Sequence, residues 1–190
     1  MKEIVLFASG SGSNAENIIK YFERHPSIKV SCVLTNRSNA PVLERCKRLG
    51  VPAMYFSRDA FTKSEVVLKL LQALSPTLIV LAGFLWKIPE ELIHAFPDKI
   101  INIHPALLPK YGGKGMYGPR VHEAVKKNGE NETGITIHYV NEAYDEGAII
   151  FQEKTALTKN DTPENIAKKV HALEYEHFPR VIENLIVQNG

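Results

Sequence analysis

An amide and an imidazole stand two residues apart in the segment INIHPALLPK, where an apolar run ends. They are Asn102 and His104, and Pro105 follows at once. Side chains two apart on a strand share a face, so both can point at one reacting atom. A histidine acts near neutral pH as an acid or a hydrogen-bond donor. The segment therefore predicts a site at a strand end where the two side chains act together.

A histidine in such a site needs a carboxylate to orient it and to raise its pKa. The candidate is Asp145, in the segment NEAYDEG, two residues before Gly147. In the alternative interpretation Asn102 caps a loop, His104 is a partly buried polar residue and Asp145 is a turn residue. The residue pattern alone predicts no more than a crevice enzyme acting at a carbonyl or phosphoryl centre.

A second candidate site is the glycine-rich segment ASGSGSN, between the first predicted strand and the first predicted helix. Gly10 and Gly12 let the backbone approach an anion, which the N–H groups of the helix start can bind. Ser13 and Asn14 add side-chain donors. The second predicted strand ends in VLTNRSN without an acidic residue, which disfavours a dinucleotide site. From this segment alone, a phosphate site and a turn without a ligand remain equally open.

The elements that position these residues alternate between strand and helix. This order predicts an α/β fold with a parallel sheet covered on both faces. The segments TGITIHYV and GAIIFQEK predict an antiparallel pair at the sheet edge, and residues 105–118 predict a long loop rich in glycine and proline. One helix is expected from Thr62 to Leu74, and a last long helix after Thr162, kinked or interrupted at Pro179. We expect a single Rossmann-like domain over residues 1–190, with a mostly parallel, twisted sheet.

The composition excludes several classes of protein. The chain has 190 residues, 44% of them hydrophobic and 23% charged, with a net charge of +2, so a globular core is expected and a nucleic-acid partner is not. The apolar run at the N-terminus is too short for a membrane span or a signal peptide. Cys32 and Cys46 lack zinc-site spacing and are expected as reduced thiols. We expect a cytoplasmic protein without a metal.

The segments INIHPALLPKYGGKG, LAGFLWKIP and DEGAIIFQ resemble the folate-dependent formyltransferases. The resemblance covers nearly the whole chain, from GSGSN to HALEYEHFP, and is to the single-domain members of purine synthesis. It implies that the chain moves the formyl group of 10-formyltetrahydrofolate, a co-substrate, to the amine of glycinamide ribonucleotide through a tetrahedral intermediate. Asn102 would donate to the oxyanion, His104 would donate or act as an acid, and Asp145 would raise the pKa of His104.

The resemblance also implies the binding residues. Those for the ribonucleotide would be Gly12, Ser13, Asn14, His171 and Glu174. Those for the folate would be Leu85, Trp86, Lys87, Ile88, Asn141, Glu142, Ala143 and Tyr144. Without the resemblance, His171 and Glu174, one helical turn apart, would be assigned to a solvated helix face. The segments around Trp86–Lys87 and KYGGKGMYG depart from the usual pattern, so the residues that bind the folate tail stay open.

Three alternatives remain. A methionyl-tRNA formyltransferase would share the same three residues, but it normally carries a further C-terminal domain and a basic surface. A formyltetrahydrofolate hydrolase usually carries an added N-terminal domain. A non-enzymatic nucleotide-binding module would use the glycine turn alone. The sequence leaves open whether the protein is a monomer or a homodimer.

Overall fold

A computed structural model describes residues 1–188, and Asn189 and Gly190 of the predicted domain lie outside the described residues. The strands are β1 (Lys2–Phe7), β2 (Ile28–Thr35), β3 (Ala53–Tyr55), β4 (Leu78–Leu81), β5 (Ile100–His104), β6 (Glu132–Tyr139) and β7 (Ile149–Ala156). The helices are α1 (Ser13–Phe22), α2 (Val42–Leu49), α3 (Arg58–Thr62), α4 (Val66–Leu74), α5 (Glu90–Ala95), α6 (Pro119–Lys127) and α7 (Pro163–Gln188).

The strands form one sheet of seven in the order β3-β2-β1-β4-β5-β6-β7. Strand β1 pairs in parallel with β2 and β4, and β2 pairs in parallel with β3. Strands β6 and β7 pair antiparallel, with β7 at the edge. The α/β class, the mostly parallel sheet and the antiparallel edge are therefore confirmed.

Two compact units make up the chain. One comprises Met1–Ile101 and the C-terminal end from Ile182, and the other comprises Asn102–Val181. In the first unit, β1 and β4 carry continuous apolar runs, and Ile4, Val5 and Leu6 are completely buried. In the second unit, Ile135 and Ile137 of β6 are completely buried. A single domain over the whole chain stays a prediction.

Two helix predictions were wrong in detail. The helix expected from Thr62 to Leu74 begins only at Val66, as α4, because Glu65 takes a left-handed backbone with φ 53°, and the separate short helix α3 ends at Thr62. Helix α5 was missed. Helix α7 runs through Pro179 without the interruption that was one expected outcome, and Thr162 caps it by accepting a hydrogen bond from the N–H of Asn165 at 3.3 Å. Within residues 1–188, no helix combines the length and the apolar character that crossing a membrane requires.

Candidate active site

Asn102, His104 and Asp145 come together in the second unit. Strand β5 carries Asn102, which is half-buried, and ends at His104, which is only 3% exposed. Asp145 lies in the loop between β6 and β7, in a left-handed backbone conformation with φ 57°. Its Oδ2 is 3.6 Å from Nδ1 of His104. The predicted proximity of the carboxylate to the ring is confirmed, while the catalytic roles stay predictions.

Asp145 is held as an anion by its surroundings. The backbone N–H of Gly113 donates a hydrogen bond to Oδ2 at 2.9 Å, and Oδ1 lies 3.6 Å from Nε2 of His138. Burial alone would raise the pKa of Asp145, but its contact with His138, the charge that His104 carries when protonated and the N–H of Gly113 together lower it. The carboxylate is therefore negative at neutral pH.

The ring of His104 has a defined tautomer. Its Nε2 lies 2.7 Å from the carbonyl oxygen of Tyr111, which can only accept, so Nε2 carries the proton. Burial lowers the pKa of His104, and Asp145 and the Tyr111 carbonyl offset this only in part. Asp145 raises the pKa of His104 as expected, but burying the charged ring lowers it by more, so the pKa lies below the ordinary value of a histidine. The neutral ring points the lone pair of Nδ1 toward Asp145.

His138 is a site residue that sequence reasoning missed. Its Nδ1 donates to the carbonyl of Tyr139 at 2.8 Å, so its Nε2 can accept from Nδ2 of Asn102 at 3.1 Å. The ring is 2% exposed. A Cβ on Gly147 would lie 1.6 Å from the Tyr139 oxygen, so only glycine fits there. His138 therefore fixes the amide of Asn102 and leaves one N–H of that amide for a ligand.

His171 and Glu174 contact each other on α7 as their spacing predicts. The Nδ1 of His171 lies 2.8 Å from Oε2 of Glu174, and the hydrogen bond raises the pKa of His171 although burial opposes it. Glu174 is 4% exposed, so the solvated-face interpretation was wrong for it. His122 on α6 was also missed; within residues 1–188 its buried Nδ1 has no hydrogen-bond partner. Burial and the charge of His171 lower the pKa of His122.

The glycine turn belongs to the first unit and begins α1. Gly12 takes the N-cap position with φ 73°, a left-handed conformation that favours glycine. Ser13 and Asn14 begin the helix, where backbone N–H groups lack partners within the helix. The turn thus presents backbone donors at the positive end of a helix of 10 residues, which suits an anion.

Replacing Gly12 with alanine is expected to lower the free energy of unfolding by about 1–3 kcal/mol. The new Cβ would lie 2.3 Å from Cγ2 of Val42, in a backbone conformation that alanine resists. The matched control is Gly10→Ala, whose Cβ would meet no described atom within 4 Å and which is expected to change stability by no more than about 0.5 kcal/mol. Denaturant titration of both variants checks this, and equal losses would contradict it.

The residues assigned to the folate lie in two loops, one in each unit. Leu85 is exposed at 41% and donates its N–H to Oγ of Ser9, and Ile88 is buried. Trp86 is half-buried, with the Arg58 guanidinium 5.3 Å from its ring centre. Lys87 and the segment from Asn141 through Glu142 and Ala143 to Tyr144 are exposed, with the Asn141 side chain accepting from the Ala143 N–H at 3.0 Å. Their contact with a folate stays a prediction.

Comparison with known proteins agrees with this fold. Residues 2–182 match the family described as Formyl transferase, and the chain belongs to that family. The chloroplastic phosphoribosylglycinamide formyltransferase of Arabidopsis thaliana is 39% identical over 188 residues, which is 95% of this chain and 64% of that relative. The phosphoribosylglycinamide formyltransferase of Bacillus subtilis is 34% identical over 100% of this chain and 97% of its own.

A solved structure of a similar protein also matches this chain. The phosphoribosylglycinamide formyltransferase of Anaplasma phagocytophilum superposes with a TM-score of 0.89 at 31% identity, over 97% of this chain and 86% of the other. The resemblance to the formyltransferases and the expectation of a transferase are therefore confirmed. Among the described residues, no group of three or more His, Cys, Asp or Glu side chains could hold a metal ion.

Proposed function

We propose that this protein transfers the formyl group of 10-formyltetrahydrofolate to the amine of glycinamide ribonucleotide. The observation that carries the proposal is the grouping of Asn102, His104 and Asp145 in the second unit, with ring and carboxylate 3.6 Å apart. The names of the similar proteins reported above agree with this proposal. Both substrates are small molecules.

In the first step the amine nitrogen bonds to the formyl carbon, and the formyl oxygen becomes an oxyanion. Asn102 has one amide N–H engaged by His138, and its second N–H donates to that oxyanion. Asn102 is half-buried, so a small molecule can reach it. One such donor typically contributes about 10²–10³ in turnover.

His104 moves the proton. Its lowered pKa keeps the ring neutral at pH 7, and its Nε2 proton is committed to the Tyr111 carbonyl. The Nδ1 lone pair accepts the proton that the amine loses as the new C–N bond forms. The resulting cation is stabilised by Asp145 and then gives the proton to the folate nitrogen as its bond to the formyl carbon breaks. No net proton is gained or lost by the protein.

The remaining assignments concern binding. Gly12, Ser13 and Asn14 bind the ribonucleotide phosphate through the start of α1. The buried carboxylate of Glu174, held by His171, binds the glycinamide or ribose end. The pterin contacts Leu85 and Ile88 together with Trp86, Lys87 and residues 141–144.

We also propose a cytoplasmic location. The free thiols of Cys32 and Cys46 support it, because thiols stay reduced in that compartment.

The test is an assay with 10-formyltetrahydrofolate, or a 10-formyl analogue, that follows the absorbance of the deformylated folate. We expect release that requires glycinamide ribonucleotide and yields its N-formyl product in equal amount. Equal release without the ribonucleotide would favour a hydrolase, and release that requires methionyl-tRNA would favour the tRNA enzyme. Binding of the ribonucleotide without any formyl transfer would favour the nucleotide-binding module.

A further inference from the structure

We propose that the tautomer of His104 is fixed by a brace of three side chains, those of Tyr111, Asn128 and Glu130. None of the three is a proposed catalytic residue. The term brace refers to these three side chains. The proposal rests on the function proposed above for its kinetic consequences, but its structural claim concerns the protein without substrates.

The backbone carbonyl of Tyr111 faces the ring of His104. It lies 2.7 Å from Nε2 of His104 and can only accept a hydrogen bond. The position of this oxygen therefore decides which ring nitrogen carries the proton in the neutral ring. If the carbonyl moved away, the alternative tautomer, with a proton on Nδ1 facing the carboxylate of Asp145, would be favoured.

The backbone that carries this carbonyl has an unfavourable conformation, which other contacts must stabilise. Tyr111 has φ 59°, a left-handed conformation that residues with a bulky side chain rarely adopt. It belongs to the loop of residues 105–118, which consists of turns and bends. Such a conformation persists where neighbouring contacts hold it.

The side chain of Tyr111 makes the contacts that hold this backbone conformation. The hydroxyl of Tyr111 donates to Oε1 of Glu130 at 2.8 Å and accepts from Nδ2 of Asn128 at 2.9 Å. Asn128 ends α6, where its N–H donates to the carbonyl of Ala124, and Glu130 lies just before β6. The hydroxyl thus ties the loop to the turn between two regular elements, although it makes no contact with Asn102, His104 or Asp145 among the described contacts.

The variant Tyr111→Phe tests the brace because it removes the hydroxyl and keeps the ring. We expect kcat to fall about 3- to 10-fold, as for one lost hydrogen bond, with the KM of both substrates unchanged. The matched control is Tyr117→Phe, which removes a hydroxyl from another tyrosine just before α6 and is expected to keep the wild-type kcat. Glu130→Ala is expected to resemble Tyr111→Phe, and the double variant to be no worse than either single one.

The second readout is nitrogen NMR of the His104 ring without substrates, at a pH where the ring is neutral. We expect wild-type protein to show the Nε2–H tautomer and Tyr111→Phe to show a measurable Nδ1–H population. An unchanged tautomer in Tyr111→Phe would overturn the proposal, and so would a wild-type ring protonated on Nδ1. Because this readout needs no reaction, its failure is distinct from a failure of the proposed formyl transfer.

Discussion

Replacing Asp145 with asparagine is expected to reduce kcat by about 10²–10⁴, the usual contribution of positioned acid–base catalysis. In the proposed mechanism, the carboxylate stabilises the cation that His104 becomes when it takes the proton of the amine. Asparagine keeps nearly the same shape and removes the charge. The KM values are expected to change little, because the proposed binding residues are other side chains.

The pKa of His104 gives this prediction a second measurement. In the wild-type protein the negative charge of Asp145 raises the pKa of His104 against the larger effect of burial. Removing the charge takes away the largest effect that opposes burial, so the pKa of His104 is expected to fall further. NMR titration of the ring measures it, and the acid limb of the kcat profile is expected to move to lower pH. A limb that moved to higher pH would contradict a neutral His104 acting as the base.

The matched control for Asp145→Asn is Glu146→Gln. Glu146 is the adjacent acidic residue, it is exposed, and it carries no part of the proposed mechanism. We expect this variant to keep the wild-type kcat and the wild-type pKa of His104. A similar loss of kcat in both variants would show that any lost charge in this loop lowers turnover, and it would contradict a specific role for Asp145.

Replacing His104 with alanine is the second change with a large expected effect. The variant loses the group that is proposed to accept the proton of the amine, and kcat is expected to fall by about 10²–10⁴. Affinity for both substrates is expected to remain, because Gly12, Ser13 and Asn14 and the folate loops are intact. Calorimetric binding of the ribonucleotide and single-turnover rates measure the two quantities separately.

The control for His104→Ala is His94→Ala, which removes an exposed histidine of α5. It is expected to keep wild-type turnover. His104 is buried and His94 is exposed, so only His104→Ala is expected to lower stability. The thermal midpoint of that variant must therefore be measured as well. Retention of wild-type turnover by folded His104→Ala would remove the histidine from the mechanism.

The sequence predicted that the ring of His104 lies near the carboxylate of Asp145, because each candidate catalytic residue leaves a local pattern. Asn102 and His104 stand at a strand end before a proline, and Asp145 precedes a glycine in a polar loop. His138 leaves no comparable pattern, since TGITIHYV looks like any alternating strand. The sheet order, with β6 next to β5, is what makes His138 a neighbour of Asn102. Finding His138 from the sequence would have required a prediction of the strand order.

Two other differences have local causes that could have been recognised. Helix α5 follows Pro89 and begins with Glu90 and Glu91, which are residues typical of a helix start. The break between α3 and α4 falls at the polar residues from Lys63 to Glu65. The lowered pKa of His104 could not be recognised in this way. The direction of the shift depends on how completely the folded chain buries the ring, and residue types alone do not give this.

The hydrogen bond from Gly113 to Asp145 joins the loop of residues 105–118 to the loop between β6 and β7. The approach is close, since a Cβ on neighbouring Gly112 would lie 3.3 Å from Cβ of Asp145. Any opening of the first loop would take a donor away from the carboxylate and weaken its acidity. The pKa of Asp145 is therefore coupled to the position of this backbone, and it is lowest when the N–H of Gly113 lies against the carboxylate.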